Sequence, residues 1–345
     1  MKRKQFLSSL MATAGVMALG FEDVSAHPAA REKRKHLALQ VPPYLKKGDI
    51  IGITSPAGFI TTEDIQPAVN KISEWGFVAK AGNTIGKKDF TFGGTDVERW
   101  QDMQSMLDDR SIKAILCARG GYGTVRIIDK LDFKKFAAHP KWLLGFSDIT
   151  VMHNHIHSNY NIASIHSKMC NSFPTEWNSA ELIKKDSIES IRQCLTGEKM
   201  NYHTTFNINN KEGSGTGQLI GGNLKTIESL AGSKSDLITN NKILFIEDTG
   251  EYLYSIDRML WNLQRTGKLS GLKGLIIGGF KWKKDDPGEE FGKTLEEIVL
   301  EKIKDFHYPV CFDFPVGHQV NNYAIKCGML HQLMVSEKNT ELKEI

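Results

Sequence analysis

The sequence predicts a two-domain α/β protein, with a helix-covered parallel sheet in the N-terminal half and a strand-rich C-terminal half. Three observations predict it. Apolar runs alternate with amphipathic helical patterns over residues 47–171, the periodicity weakens over residues 172–212, and short apolar runs dominate residues 213–345. Strands that alternate with helices form parallel sheets covered on both faces, and such sheets carry their chemistry at the carboxyl ends of the strands.

The elements follow in order. "DIIGITSPAG" is a strand running into a Gly/Pro turn, and "TTEDIQPAVNKISEWGF" puts Ile65, Val69, Ile72 and Trp75 on one helical face. "TDVERWQDMQSMLDD" opens with a capping box, Thr95 and Glu98, and is expected to turn Val97, Trp100, Met103 and Leu107 inward. "KAILCARGGYG", "KWLLGFSD" and "NIASIH" read as further strands, with the helical "VRIIDKL" after the first of them. Residues 172–212 read as a polar connection holding one helical segment, "SAELIKKDSIESIRQCL". Beyond it "KILFIED", "GLIIGGF", "YPVCFDFPVG" and "HQLMVSE" are short strands, and "YSIDRMLWNLQRTGKL" is an amphipathic helix with Ile256, Leu260 and Leu263 inward. There is no internal repeat.

Composition narrows the function classes. The chain has 345 residues, 40% hydrophobic and 24% charged, which excludes disordered and fibrous classes. Its net charge of +4 is dispersed, with no basic block beyond the N-terminus, so no nucleic-acid partner is expected. Five cysteines, Cys117, Cys170, Cys194, Cys311 and Cys327, have no CxxC spacing and suggest neither a zinc knuckle nor a disulfide framework. Cys117 and Cys311 lie within apolar runs, as small core residues do.

Residues 1–26 have the pattern of an export signal: a basic start, an apolar stretch from Phe6 to Leu19, and Val24-Ser25-Ala26 as a small-residue cleavage site. Arg3-Lys4-Gln5-Phe6-Leu7 is also similar to a twin-arginine signal with lysine in the second position. The apolar stretch is shorter than the roughly 20 residues that span a bilayer, so no stable membrane insertion is expected after cleavage. The mature chain is expected to begin near His27, with residues 27–46 as an exposed tether, and to reside in the periplasm.

Candidates for chemistry stand at the ends of predicted strands. Ser147, in "LLGFSDIT", would sit on a strand-to-helix turn, where a hydroxyl projects from the sheet edge beside the free N–H groups of a first helical turn. The same residues also suit an ordinary helix N-cap. "ILFIEDTGE" places Glu247 and Asp248 at the end of a buried run, and "DFPVGHQV" places His318 after a Pro/Gly-punctuated strand. Nucleophile, base and orienting carboxylate are thereby available, although Asp248 also suits a turn cap and His318 a structural role. "ARGGYGT" lets backbone N–H groups approach an anion, and its spacing matches neither GxGxxG nor a Walker loop. "HNHIHS" carries His153, His155 and His157, with His166 nearby, so a metal site has to be weighed. No HExxH or compact Asp/His set accompanies them, and neither metal nor cofactor is expected.

Taken together, "GDIIGITSPAG", "ILCARGGYGTVRIIDKLD", "PKWLLGFSDIT", "GQLIGGNLKTIESLAGS", "ILFIEDTGEYLYSIDRMLWNLQRTGKLSGLKGLIIGGF" and "FPVGH" resemble the LD-carboxypeptidase family of serine peptidases. That family includes the murein tetrapeptide LD-carboxypeptidases and the microcin C immunity proteins. The resemblance implies a flavodoxin-like N-terminal domain, a barrel-like C-terminal domain and a homodimer. It implies Ser147 as nucleophile, His318 as base and Glu247, rather than Asp248, as the group that orients the histidine. It further implies an oxyanion hole from the N–H groups of Asp148 and Gly121, and Tyr122 and Asn223 are candidate substrate contacts. The implied reaction is release of terminal D-alanine from peptidoglycan-derived tetrapeptides. Alternatives are an amidase acting on a microcin C-like peptide-nucleotide, and a non-catalytic exported binding protein. Three departures stand out. Ser167-Lys168 occupies a position where relatives commonly read Gly-Pro, and "HQVNNYAIKCG" differs from their usual ending after the histidine. The export signal is unusual for a family whose recycling enzymes act in the cytoplasm.

Overall fold

A computed structural model describes residues 37–345. The expected export signal and residues 27–36 of the expected tether lie outside the described residues; residues 37–46 are anchored rather than an exposed tether, because Leu45 is buried in the core, Tyr44 stacks on Trp142 and Gln40 pairs with Ile162. Five strands in the N-terminal half, β1 (Ile50–Thr54), β2 (Val78–Ala81), β3 (Ile112–Cys117), β4 (Trp142–Gly145) and β5 (Ser164–His166), are mutually parallel. A sixth, β11 (Ile325–Cys327), arrives from near the C-terminus and pairs antiparallel with β5, giving the order β11-β5-β4-β3-β1-β2. The inner strands are buried on both faces, so β1, β3 and β4 read as largely apolar runs, whereas the edge strand β2 is mostly exposed.

Helices α1 (Thr62–Glu74) and α2 (Asp96–Asp108) each begin with a complete capping box, Thr61 with Asp64 and Thr95 with Glu98. The inward face of α2 differs from the periodicity. Val97 is half exposed, whereas Arg99 and Asp102 are buried. Hydrogen bonding outweighs hydrophobicity here: Arg99 donates to the carbonyls of Pro56, Gly94 and Gly123, and Asp102 accepts from Thr54, Asn83 and Thr84. These bonds rivet α2 to the loops after β1 and β3. A short helix, α3 (Lys134–Ala138), precedes β4, and "VRIIDKL" forms two 3-10 turns, Thr124–Arg126 and Ile128–Lys130, in place of a helix. Helix α4 (Thr150–Tyr160) joins β4 to β5.

Residues 172–212 hold helix α5 (Leu182–Thr196) and strand β6 (Asn201–Thr205). The C-terminal sheet adds β7 (Gly213–Asn223), β8 (Lys242–Thr249), β9 (Gly274–Lys281), β10 (Val310–Cys311), β12 (Leu330–Val335) and β13 (Asn339–Glu344), in the order β10-β9-β8-β7-β12-β13-β6. Strands β7 to β10 are parallel and the remaining pairings antiparallel. Lys211 and Val310 exchange two backbone hydrogen bonds, which tie β10 back to the segment between β6 and β7 and give the sheet a barrel-like curl. Helices α6 (Leu224–Ser229), α7 (Leu253–Arg265) and α8 (Leu295–Ile303) cover it. Ile256, Met259, Leu260 and Leu263 of α7 pack with Leu244, Ile246, Leu275 and Ile277 of the sheet. All five cysteines are buried and unpaired. Among the described residues, no helix is long and apolar enough to cross a membrane.

Candidate active site

Strand β4 is wholly buried and ends at Gly145, and the chain then turns sharply. Ser147 holds φ at +61°, a left-handed conformation that costs a non-glycine residue about 1–3 kcal/mol. It opens a 3-10 turn, Ser147–Ile149, that runs directly into α4. A serine held in this way at a strand-to-helix junction is the geometry of a nucleophile elbow rather than of an N-cap, and its side chain caps no backbone N–H here. Asp148 is buried, and its Oδ2 accepts the Thr124 N–H at 2.8 Å. Burial raises the Asp148 carboxyl above its usual range, and the bonds from Thr124 temper the rise. This contact fastens the serine turn to the glycine loop that precedes Thr124.

That loop approaches closely. A Cβ on Gly120 would sit 3.1 Å from Ser147 Cβ and 3.2 Å from its Oγ, so glycine there lets the loop lie against the hydroxyl without crowding it. Gly121 has φ +104°. A cavity of about 330 Å³ opens over Ser147, walled by Gly121, Tyr122, Asp148, Asn223, Asp248 and Glu251 among others. Tyr122 is exposed at its rim.

The second half of the site comes from the C-terminal sheet. Asn223 and Glu247 are register partners at the ends of β7 and β8. The Asn223 N–H donates to Thr150 Oγ1 at 3.0 Å, which joins β7 to the first residue of α4 and so to the serine turn. The Asn223 side chain is committed to structure: Oδ1 caps α6 through the Thr226 N–H, and Nδ2 donates to Asp248 Oδ1. Asp248 also accepts the Lys225 and Thr249 N–H groups, and burial pushes its carboxyl up to about 6. Asp248 therefore braces a helix start, whereas Glu247 is the acid that meets His318. Glu247 is fully buried and its Oε2 lies 2.5 Å from His318 Nδ1. Burial would raise the Glu247 carboxyl, but His166 and His318 beside it outweigh burial and hold it below its usual value. Gly317, at φ +97°, makes this packing possible, since a Cβ there would fall 2.4 Å from Glu247 Cβ. The His318 ring packs on Phe146, the residue before Ser147, with centroids 5.0 Å apart. Among the described residues the Ser147 hydroxyl makes no hydrogen bond to His318.

The clustered histidines have other partners. His153 bonds Ser164 Oγ and the Gly145 carbonyl, His155 bonds Ser235 Oγ, and His157 bonds Lys242 Nζ. Among the described residues no group of three or more His, Cys, Asp or Glu is arranged to hold a metal. Burial pushes the His153 and His157 imidazoles down to about 3 and that of His331 to about 4. Because these pKa values fall on folding, the unfolded chain binds more protons below an unfolded pKa of about 6.5, and stability is lost as pH falls through that value. Between about pH 7 and pH 5 each such histidine should cost on the order of 2 kcal/mol, and Asp248, raised on folding, offsets part of the loss. Thermal unfolding followed by circular dichroism across this range should show the midpoint falling, and a flat midpoint would contradict it.

Two further residues lie beside the site. The sequence offers His166 only as a metal ligand, and the signal for its place here is its position at the end of β5, level with Gly145 of β4. Lys168 follows it and donates to the Gln319 carbonyl at 2.8 Å, linking the end of the N-terminal sheet to the loop that carries His318.

Fold and site together define a two-domain α/β protein with a left-handed serine on a strand-to-helix turn and, beside Phe146 before it, a partly exposed histidine bonded to a buried glutamate. Residues 51–167 match the model of the LD-carboxypeptidase N-terminal domain and residues 216–333 that of the LD-carboxypeptidase C-terminal domain. The chain is 31% identical over 304 residues to a probable murein peptide carboxypeptidase of Bacillus subtilis, covering 88% of this chain and 94% of that protein. The crystal structure of muramoyltetrapeptide carboxypeptidase from Oxalobacter formigenes superimposes with a TM-score of 0.76 at 25% identity, over 86% of this chain and 98% of that one. The microcin C7 self immunity protein MccF shares the fold, with a TM-score of 0.76 at 22% identity over 88% of this chain and 98% of that one. This chain belongs to the LD-carboxypeptidase family.

Proposed function

We propose that the protein is a serine carboxypeptidase that hydrolyses the L-D peptide bond releasing terminal D-alanine from peptidoglycan-derived tetrapeptides. The observation that carries this reading is the bond from buried Glu247 to His318 beside a left-handed Ser147, in a chain 31% identical to a probable murein peptide carboxypeptidase. Ser147 Oγ attacks the carbonyl carbon of the third residue while His318 Nε2 takes its proton. Glu247, on the other ring nitrogen, fixes the tautomer and stabilises the imidazolium. The oxyanion is received by the N–H groups of Asp148 and Gly121. Collapse breaks the C–N bond, His318 returns the proton to the D-alanine amine, and water deacylates Ser147 by the same relay in reverse. Catalytic hydrogen bonds of this kind commonly close only when substrate docks, which accommodates the missing Ser147–His318 bond.

The test is mass spectrometry of defined muropeptides after incubation with the mature protein. A tetrapeptide should lose one D-alanine. A pentapeptide, which ends in a D-D bond, should survive, because misplacing the reacting carbonyl by about 1 Å can cost ~10²-fold. Equal cleavage of both, or cleavage of a peptide-nucleotide alone, would replace this assignment with the amidase reading.

The same reading includes export to the periplasm and assembly as a homodimer. N-terminal sequencing of protein from the periplasmic fraction should begin near His27, after removal of about 26 residues, and light scattering should report twice the chain mass. Full-length protein confined to the cytoplasm would refute the export, and a single chain mass the dimer.

A further inference from the structure

The carboxylate at the centre of the site has one unsatisfied oxygen. Glu247 Oε2 takes the bond from His318, whereas Oε1 is buried without a hydrogen-bond partner among the described residues. His166 faces that oxygen. Its side chain is fully buried, neither ring nitrogen has a hydrogen-bond partner among the described residues, and Nε2 stands 3.8 Å from Glu247 Oε1. That gap is too long for a hydrogen bond and too short for a bridging water, and a closing of roughly 0.8 Å would bring the atoms within bonding distance.

His166 has little other outlet. It ends β5, paired with Gly145 of β4 and Ile325 of β11, and its ring meets Phe245 and Phe146 edge-on, at centroid distances of 5.0 and 5.8 Å. The titratable groups around it are Glu247 of β8, His318 of the loop before β11, and His153 of α4, whose own nitrogens are engaged by Ser164 and Gly145. Burial keeps His166 below its ordinary pKa. A neutral imidazole can still donate one N–H, and a buried carboxylate with a single donor gains strongly from a second.

We propose that His166 is a positioning residue that donates Nε2–H to Glu247 Oε1, so that the carboxylate is held from both sides and presents Oε2 to His318 in one orientation. The role rests on the Ser147, Glu247 and His318 relay described above, and His166 itself touches no substrate. Without this donor, Oε1 is left buried and bare. Glu247 then becomes more basic, pulls harder on a proton shared with His318, and can turn away from it.

The consequence falls on kcat, on the pH profile and on the tautomer. His166→Phe keeps the ring volume and removes both nitrogens. It should lower kcat on the order of 10-fold to 100-fold, the scale seen when the partner orienting a site residue is lost. KM should stay within about twofold, and the acid limb of kcat/KM should move to higher pH. His166→Gln can place an amide nitrogen near the former Nε2 and should restore most of kcat, a rescue that loss of packing alone would not show. In the wild-type protein, nitrogen-15 chemical shifts of labelled histidine should put the His166 proton on Nε2. A proton on Nδ1, or a folded His166→Phe variant with wild-type kcat and pH profile, would overturn the proposal. If His166→Phe fails to fold, the wild-type tautomer decides. Ser147→Ala separates the two levels: if it is inert while His166→Phe is unaffected, only this inference fails, and if it turns over normally, the relay reading itself fails.

Discussion

Ser147→Ala is expected to fold as the wild type does and to lose up to about 10⁶-fold in kcat on a D-alanine-terminated tetrapeptide. The expectation follows from position. Ser147 lies on a turn, contributes little to any core cluster, and holds a left-handed φ of +61° that alanine would have to share. The strain costs the variant about as much as the wild type, so its thermal midpoint should move little, while the atom that forms the acyl bond is gone. His318→Ala should be comparably inert, because nucleophile and base act as one unit and their removals do not add. Steady-state release of D-alanine by the two single variants and the double variant would measure this. A double variant far slower than either single variant would break the unit apart.

Glu247→Gln should lower kcat by about 10⁴-fold with KM nearly unchanged. Glutamine keeps the shape at the end of β8, but its amide can offer His318 Nδ1 an N–H where a carboxylate only accepts. The imidazole is then free to take the wrong tautomer, and the imidazolium formed during attack loses its counter-charge. Asp248→Asn, one residue along, should be much milder on kcat, because Asp248 braces Asn223 and the start of α6 rather than His318. Equal losses in both variants would remove the distinction drawn between the two acids.

Much of the architecture was legible because local chemistry and tertiary packing agree. The Thr95–Glu98 capping box, the buried runs of β1, β3 and β4, and the inward Ile256, Leu260 and Leu263 of α7 stand as the patterns imply. Disagreement arose where hydrogen bonding or long-range pairing overrides periodicity. Arg99 and Asp102 are polar yet buried, so the face of α2 rotates away from Val97, and "VRIIDKL" breaks into two 3-10 turns. β11 joins a sheet formed by residues more than a hundred positions earlier, a pairing no local pattern encodes. The polar stretch over residues 172–212 contains β6 because an edge strand needs only one buried face.

The site was legible in its residue types and in its strand-end positions. What sequence could not supply was proximity. Glu247 and Asp248 are chemically equivalent neighbours in the chain, and only the alternation along β8 and the glycine at 317 decide which carboxylate reaches His318. The three histidines of α4 carry the residue types of a metal site, but each bonds a different partner. His166 and Lys168 stand out in the sequence, one among the histidines and one as a departure from relatives, but their contacts do not, because what faces them comes from the other half of the molecule.

The most direct measurement is liquid chromatography with mass detection of one defined peptidoglycan tetrapeptide, incubated separately with wild-type protein and with Ser147→Ala. A serine carboxypeptidase converts the peptide to the tripeptide and free D-alanine in the first tube and leaves it intact in the second. An intact tetrapeptide with the wild type, or tripeptide formed at equal rates in both tubes, would contradict the account.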